Sequence, residues 1–600
     1  MTTAHPFSLT ASEIAGLLKA DRPLIPELEA YRDNPAAMAD KPSMQLMLAQ
    51  TAPLLEGIET IPDTRYTHYR YFVKNGDRKT YEALYFLKRR AMAALALRVF
   101  LGETHWKDLL QDYLWDICEE TTWVLPAHER RDPIDLFSAE TGFVLATTLH
   151  LLGRELDGEV RSRVRSEIER RNFLPYLTYY STHHWYMGGN NWNGVCNSSI
   201  GSSFLLLEPE LDRVAKAIEI VLPSLDHFLN VAFEKDGTST EGVSYWHYGL
   251  INLVSLAEML RARSGGAIDL LDGERMRKIA AYPAKLLLSG SMFAAFSDCD
   301  ETSRFNPGII TRLAERTGDK TLAQLLAKPV QFEGDWRMSM MLRNALWWDG
   351  KQAEPPVIED VALFGGGVAR LVAALPSGKQ VVVAIKAGHN EENHNQNDIG
   401  SFVVHVDGEN LLTDPGRGLY SRFYFGEHRY KNIFANSYGH CVPRVAGHQQ
   451  APGKQYKGGL SEVKMSEPLK WAVVDFARAY PVANLTGLRR QLILASQDTP
   501  EARTGTVWLE DTFSFSEPPA EVEEAFVTWG EVEVNGASAV VRGQKHSLRM
   551  TVESPSSVRF AVESLEEQCA ANLKEGVLKR ITLTLPPAAS TRVRIRLEVM

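Results

Sequence analysis

Cysteine is scarce in this sequence, with only five among 600 residues. Cys118, Cys196, Cys299, Cys441 and Cys569 are an odd, widely scattered set with no CxxC pair and no Cys/His zinc spacing, which argues against a disulfide framework or a zinc ribbon. A long apolar run is also missing, so no stretch is suited to span a bilayer. The opening MTTAHPFSLTASEIAGLLKADRP has neither the basic start nor the continuous apolar core of a secretory leader. Cytoplasmic residence is the expectation, or periplasmic if a leader has been removed. Positive charge is not in excess: a formal net charge of -10 provides no basic footprint for nucleic acid, although an acidic average can hide a local cationic cleft. There is no low-complexity tract and no convincing fixed-period repeat. What is present is ordinary globular material, 44% hydrophobic and 23% charged, in a chain too long for one compact core. Two large domains are expected.

Hydrophobic periodicity divides the chain. Leu109, Leu110, Tyr113, Leu114, Ile117 and Cys118 recur at three-and-four spacing, which predicts an amphipathic helix. Similar stripes at Leu84/Leu87/Ala91/Ala94/Leu95 and Leu250/Leu253/Val254/Ala257/Leu260 extend the helical reading across the first half. After Glu354-Pro355-Pro356 the period falls to two. Val593, Ile595, Leu597 and Val599 alternate with Arg592, Arg594, Arg596 and Glu598, the pattern of a strand with one buried face. Val381 to Ile385 is uninterrupted and apolar, as for a strand covered on both sides. Further strands are expected around 401-406, 471-479, 505-515 and 526-534, between Gly, Pro, Asn and Asp turns. Many strands with hardly a helix between them indicate stacked antiparallel sheets. The fold class read from the pattern is α+β multidomain, helical over 1-350 and β over 351-600.

Four segments concentrate polar, aromatic and glycine residues. The first, HHWYMGGNNWNGVCN from His183 to Asn197, opens a predicted helix. One asparagine there would be a cap. Four beside two tryptophans exceed that need and read as a sugar platform: Trp192 and His184 against pyranose rings, Asn191 and Asn193 as amide donors to a carboxylate. The second, DGTSTEGVSYWHYG from Asp236 to Gly249, places Tyr245 and Tyr248 one turn apart. Trp246 reads first as packing onto the next helix, and is kept with Tyr248 and Glu241 among the candidate substrate contacts. The third, HNEENHNQNDIGSF from His389 to Phe402, puts His394, Gln396 and Asp398 on one face if it is extended. It leads to Thr413-Asp414-Pro415-Gly416. The fourth, NSYGHCVP from Asn436 to Pro443, supplies His440 as a partner for Asp414 in a metal or charge-relay site.

The order of these segments, NNWNGVCN and EGVSYWHYG followed by HNQNDIGSF, TDPG, the Tyr-rich YSRFYFGEHRY and SYGHCVP, resembles the heparinase II/III-like polysaccharide lyases. Alginate lyases and dermatan sulfate epimerase share that organisation. The resemblance runs from WVLPAHERRDPIDL to SYGHCVP and rests on the ordered set, since no single motif would suffice. It implies an incomplete (α/α) toroid followed by an antiparallel β-sandwich, with an acidic polysaccharide or oligosaccharide as substrate. It also implies roles: Tyr245 as the catalytic tyrosine, His394 as the catalytic histidine, and Asn191 and Asn193 on the uronate carboxylate. Where the family often carries a histidine, this chain has Trp192. The resemblance further implies a divalent metal in a structural role, held through Gln396, Asp414 and His440. The family has a histidine at the position of Gln396, and an amide oxygen suits ions harder than zinc. No organic cofactor, nucleic acid or membrane is implied, and homo-oligomerisation is left open.

The chemistry expected is β-elimination at a uronate, giving unsaturated uronate ends. The substrate carboxylate opposes C5 proton removal, so donors on that carboxylate are required. Three alternatives use parts of the same sequence. A uronyl C5 epimerase would use the same residues. A toroid-type glycoside hydrolase would need two flanking carboxyl groups, for which Asp298, Asp300 and Glu301 are the nearest cluster. A non-catalytic sugar binder would need neither Tyr245 nor His394.

Overall fold

A computed structural model describes residues 5-129, 133-332, 334-519 and 521-600. Residues 130-132 of the WVLPAHERRDPIDL segment and the first four of the chain lie outside the described residues. The chain forms two compact units. One comprises the chain up to Phe233 with Tyr245–Ala281 and Arg304–Glu354, and the other Glu234–Ser244, Tyr282–Ser303 and Pro355–Met600. The change of period at Glu354 is therefore also a unit boundary, and two earlier excursions of the chain belong to the β unit.

The first unit is helical. In the helix Lys107–Glu119 the predicted face is the buried one, at Leu110, Tyr113, Leu114, Ile117 and Cys118. In Lys79–Phe100 the third turn departs from the prediction. Leu87 is exposed, whereas Tyr85, Lys88 and Arg89 are buried. Charge pairing explains the reversal: Arg89 donates to Glu120 at 2.8 Å and Lys88 sits 3.3 Å from the same carboxylate, so burial does not leave the cations uncompensated. The helix Leu136–Leu152 starts at an Asp135 cap that accepts from the Ser138 amide at 2.7 Å. Apart from its final turn it is buried nearly all round, as a central helix must be. Asn191–Leu207 packs against it and against Leu211–Val231. Its small residues, Gly194, Ser198, Ser199, Gly201, Ser202 and Ser203, keep its surface low enough for both neighbours to approach.

The second unit is antiparallel β. A five-stranded meander runs through Val361–Leu363, Val368–Ala374, Gln380–Lys386, Phe402–Val406 and Glu409–Leu412. A nine-stranded sheet contains Leu469–Asp475, Leu485–Ala495, Val507–Phe515 and Ser590–Val599 side by side, and a four-stranded sheet contains Val522–Thr528. Their inward residues share one apolar core that includes Val383, Val404, Val474, Leu509 and Ile595. The strand expected over 526-534 breaks at Trp529-Gly530, and its two halves join different sheets.

Arg490, wholly buried in Leu485–Ala495, fixes the loops at one end of this core. It pairs with Asp511 at 2.6 Å and Glu524 at 3.1 Å, then donates to the carbonyls of Gly400 at 2.7 Å and Cys441 at 2.5 Å. One guanidinium thus ties the loop that follows His394 to the residue beside His440. A fork of several donors makes arginine suited to such a clamp.

Candidate functional site

His394 lies in a turn, with φ 56°. The extended reading of His389 to Phe402 is therefore corrected: His394, Gln396 and Asp398 do not line one strand face. The left-handed kink directs His394 to its own partner. Its Nδ1 is 3.0 Å from Oδ2 of Asp298, which is 1% exposed. Asp298 also accepts from the Tyr424 hydroxyl at 2.6 Å and from Arg429 at 2.8 Å. Burial alone would raise the Asp298 carboxyl. The His394 hydrogen bond, the Arg429 charge and the Tyr424 hydroxyl outweigh it and hold the group below the usual aspartate range. An ionised carboxylate only accepts, so Nδ1 carries the proton and the basic lone pair of the neutral ring sits on Nε2. That nitrogen stands 3.8 Å from Glu241, itself 2% exposed, and Tyr420 stacks on the ring at 6.2 Å between centroids.

The other end of the same loop builds a different cluster. Asp398, Asp414 and His440 bring one ligand atom each within 4.8 Å of one another, all three residues buried. His440 Nδ1 is 3.1 Å from Asp414. Asp398 takes the Lys386 ammonium on Oδ1 at 2.7 Å, while its Oδ2 has no hydrogen-bond partner among the described residues. The same is true of His440 Nε2 and of both amide atoms of Gln396, which is 0% exposed. Buried polar atoms are rarely left unsatisfied. Two carboxylates and an imidazole, with orphaned atoms on Asp398 and His440, are a donor set that fits a divalent cation, and Asp398 joins the expected Asp414 and His440.

In the helical unit, Asn190 caps Asn191–Leu207 by accepting from the Trp192 amide at 3.2 Å. Asn193 is 0% exposed. Both its amide hydrogens are committed, to the carbonyls of Gly188 at 2.9 Å and Ser224 at 3.0 Å, and its oxygen accepts from Asn197 at 2.9 Å. It has no donor left for a substrate, which corrects its assignment: it shapes the turn that presents Asn191. Trp246 is corrected likewise, being 1% exposed with its indole N–H on the Ile279 carbonyl at 2.7 Å. Trp192 is half-buried and His184 exposed, with ring centroids 4.9 Å apart.

Two glycines join this segment to the tyrosine helix Gly242–Ser264. A Cβ on Gly194 would stand 2.6 Å from the Gly249 carbonyl oxygen, and a Cβ on Gly249 would stand 3.6 Å from the Asn191 Cα. The two backbones touch there, so Asn191 lies against the turn that carries Tyr245 and Tyr248. Tyr245 and Tyr248 are half-buried. The Tyr248 hydroxyl donates to Glu140 at 3.0 Å. Glu140, 1% exposed, also accepts from Asn252 at 3.0 Å and from Arg337 Nε at 2.6 Å.

Sequence reasoning did not assign Asp298, Tyr424 and Arg429 to His394, nor Glu140 and Arg337 to Tyr248. The Tyr-rich segment was a signal for Tyr424 and Arg429. Glu140 and Arg337 carry none. Among the described residues, no helix is long and apolar enough to cross a membrane.

Neither a protein-family model nor a curated protein matches the sequence. Solved structures do. A heparinase III with methylated lysines aligns at a TM-score of 0.63 and 14% identity, over 99% of this chain and 94% of that one. Another heparinase III aligns at 0.62 and 13%, over 99% and 94%. The heparan sulfate lyase HepC from Pedobacter heparinus aligns at 0.59 and 14%, over 98% and 87%. Helices in the first half and antiparallel sheets in the second are thus the fold of the heparinase III and heparan sulfate lyase structures, and this chain has that fold over nearly its whole length.

Proposed function

We propose that the chain is a polysaccharide lyase that cleaves a uronate-containing glycan by β-elimination, its helical unit an incomplete (α/α) toroid and its β unit a sandwich. The observation that carries the reading is the 3.0 Å contact of His394 Nδ1 with the buried Asp298 carboxylate. With Nδ1 on Asp298, the ring offers Nε2 to the C5 proton or to the carboxylate, according to the epimer cleaved. Arg429 neutralises Asp298 and so limits how far that carboxylate would stabilise an imidazolium. Asn191, at the start of its helix where helix-end dipoles favour negative charge, meets the uronate carboxylate. Tyr245 protonates the departing glycosidic oxygen. A phenol hydroxyl carries the proton that this step requires. A divalent ion held by Gln396, Asp398, Asp414 and His440 would supply a fixed positive charge that locks the loop carrying His394.

The contacts of the acidic cluster weigh against the hydrolase alternative. Asp298 is committed to His394 and Arg429, Asp300 to Arg417 at 2.9 Å, and Glu301 to Thr413 and Asn410. The test is ultraviolet absorbance of unsaturated uronate on a panel of acidic glycans. Tyr245→Phe and His394→Ala should each reduce the rate by roughly 10²- to 10⁴-fold in folded protein. Hydrolysis or epimerisation without that absorbance would replace the proposal, and an unimpaired Tyr245→Phe would remove Tyr245 from it.

A further inference from the structure

One side of the helix Lys79–Phe100 contributes to an open groove of the helical unit. Lys79, Glu82, Ala83, Phe86 and Arg90 follow at helical spacing and line a groove of about 690 Å³ with Phe137, Tyr248, Trp336 and Arg337. From Lys79 to Arg90 the helix advances roughly 16 Å. Its aromatic floor is continuous. Phe86 meets Phe137 at 5.1 Å and Trp336 at 5.7 Å, Phe137 stacks on His128 at 6.0 Å, and His128 meets Trp192 at 4.8 Å. Aromatic rings therefore run from the groove to the Asn191 segment.

The charges do not cancel. Glu82 is already paired with Arg78 at 2.7 Å, and Arg337 with Glu140. Among the described residues, Lys79 and Arg90 have no carboxylate within ion-pair distance, and the buried Arg90 Nε has no hydrogen-bond partner. Two uncompensated cations over an aromatic floor suit a ligand with apolar ring faces and anionic substituents.

We propose that this groove is a distal subsite for the acidic glycan. The sugar rings would pack on Phe86 and Phe137, and Lys79 and Arg90 would bind a carboxylate or sulfate of the chain beyond the bond that is cleaved. The proposal rests on the lyase reading for its substrate class. Tyr248 joins the two places, lining the groove one turn from Tyr245 on the same helix.

Calorimetric titration at low salt tests it without catalysis. Heparan sulfate chains, the same chains chemically desulfated, and a disaccharide of the same composition would be titrated into the unmodified protein and into Lys79→Gln/Arg90→Gln. The double variant should bind long chains roughly tenfold more weakly, and the loss should shrink as salt is added. Loss on sulfated chains alone identifies the anion as sulfate, and equal loss on desulfated chains identifies it as carboxylate. Affinity for the disaccharide, too short to span the groove, should not change. Unchanged long-chain affinity, equal weakening on the disaccharide, or no binding of any chain by the unmodified protein overturns the proposal. Because binding is the readout, absence of unsaturated uronate would count against the lyase reading alone. If turnover is present, the variant should raise KM on long chains and leave kcat unchanged.

Discussion

The two units each contain a buried polar cluster, and the clusters differ in saturation. In the helical unit, Glu140 accepts from a tyrosine, an asparagine and both arms of an arginine. In the β unit, Asp398, His440 and Gln396 retain polar atoms with no partner among the described residues. A saturated hub gains its full electrostatic return from the chain itself and acts as a rigid support. A cluster with orphaned donors and acceptors pays desolvation without return unless another group completes it. The first pattern marks a residue that positions others. The second is the pattern expected of the proposed cation site.

The largest expected effect breaks the saturated side. Glu140→Ala leaves the Arg337 guanidinium without its counter-charge and should cost about 3–5 kcal/mol, the usual penalty for removing one member of a buried pair. Urea unfolding of the full chain measures it, and a loss under about 1 kcal/mol would deny Glu140 its supporting role. The next loads the other side. Adding zinc or calcium to chelator-treated protein should raise the thermal midpoint, by about 3–4 kcal/mol of stability when the ion is at 100 to 1,000 times its Kd. Asp414→Ala should abolish that rise, and Gln396→Ala should weaken it. Metal analysis with no bound ion, together with no thermal shift, would leave the cluster as a polar core. The smallest effect reads the charge balance beside that cluster. Burial raises Glu392 to about 7 despite the nearby Lys386 ammonium. The folded state then holds this proton more tightly than the unfolded state does, so stability falls as pH rises from about 4.5 to about 7, by at most about 1.4 kcal/mol per pH unit. Glu392→Gln should flatten that slope, and an unchanged slope would assign it to other groups.

Much of the architecture was legible because it depends on local pattern. The switch of period at Glu354 coincides with a unit boundary, and the alternation of Val593, Ile595 and Leu597 is the alternation of buried positions. What misled was the assumption that apolar means inside. Lys88 and Arg89 displaced Leu87 from the core because Glu120 offers them a buried partner, a fact that no window of the sequence around residue 88 contains. The candidate site divides in the same way. His394, Asp414 and His440 stand in dense polar segments and can be picked out singly. The pairing of His394 with Asp298 spans 96 residues and that of Glu140 with Arg337 spans 197, so only the fold reveals them. Asn193 misled for the opposite reason. Its segment is rich in amides, and spacing along the sequence does not distinguish an amide that faces a ligand from one that holds a turn.

The contact of Gly194 with Gly249 gives the helical unit a fixed dimension. Asn191 and the tyrosine helix are held at a separation set by two backbones, with hydrogen as the only substituent between them. A single methyl group at Gly194 would stand 2.6 Å from the Gly249 carbonyl oxygen and act as a spacer. It would leave every polar group of the site intact and yet move the amide away from the tyrosines. The spacing of the proposed catalytic groups is thus encoded by residues with no chemistry of their own. Any redesign of the proposed glycan site has to keep these two glycines and vary the residues along the groove.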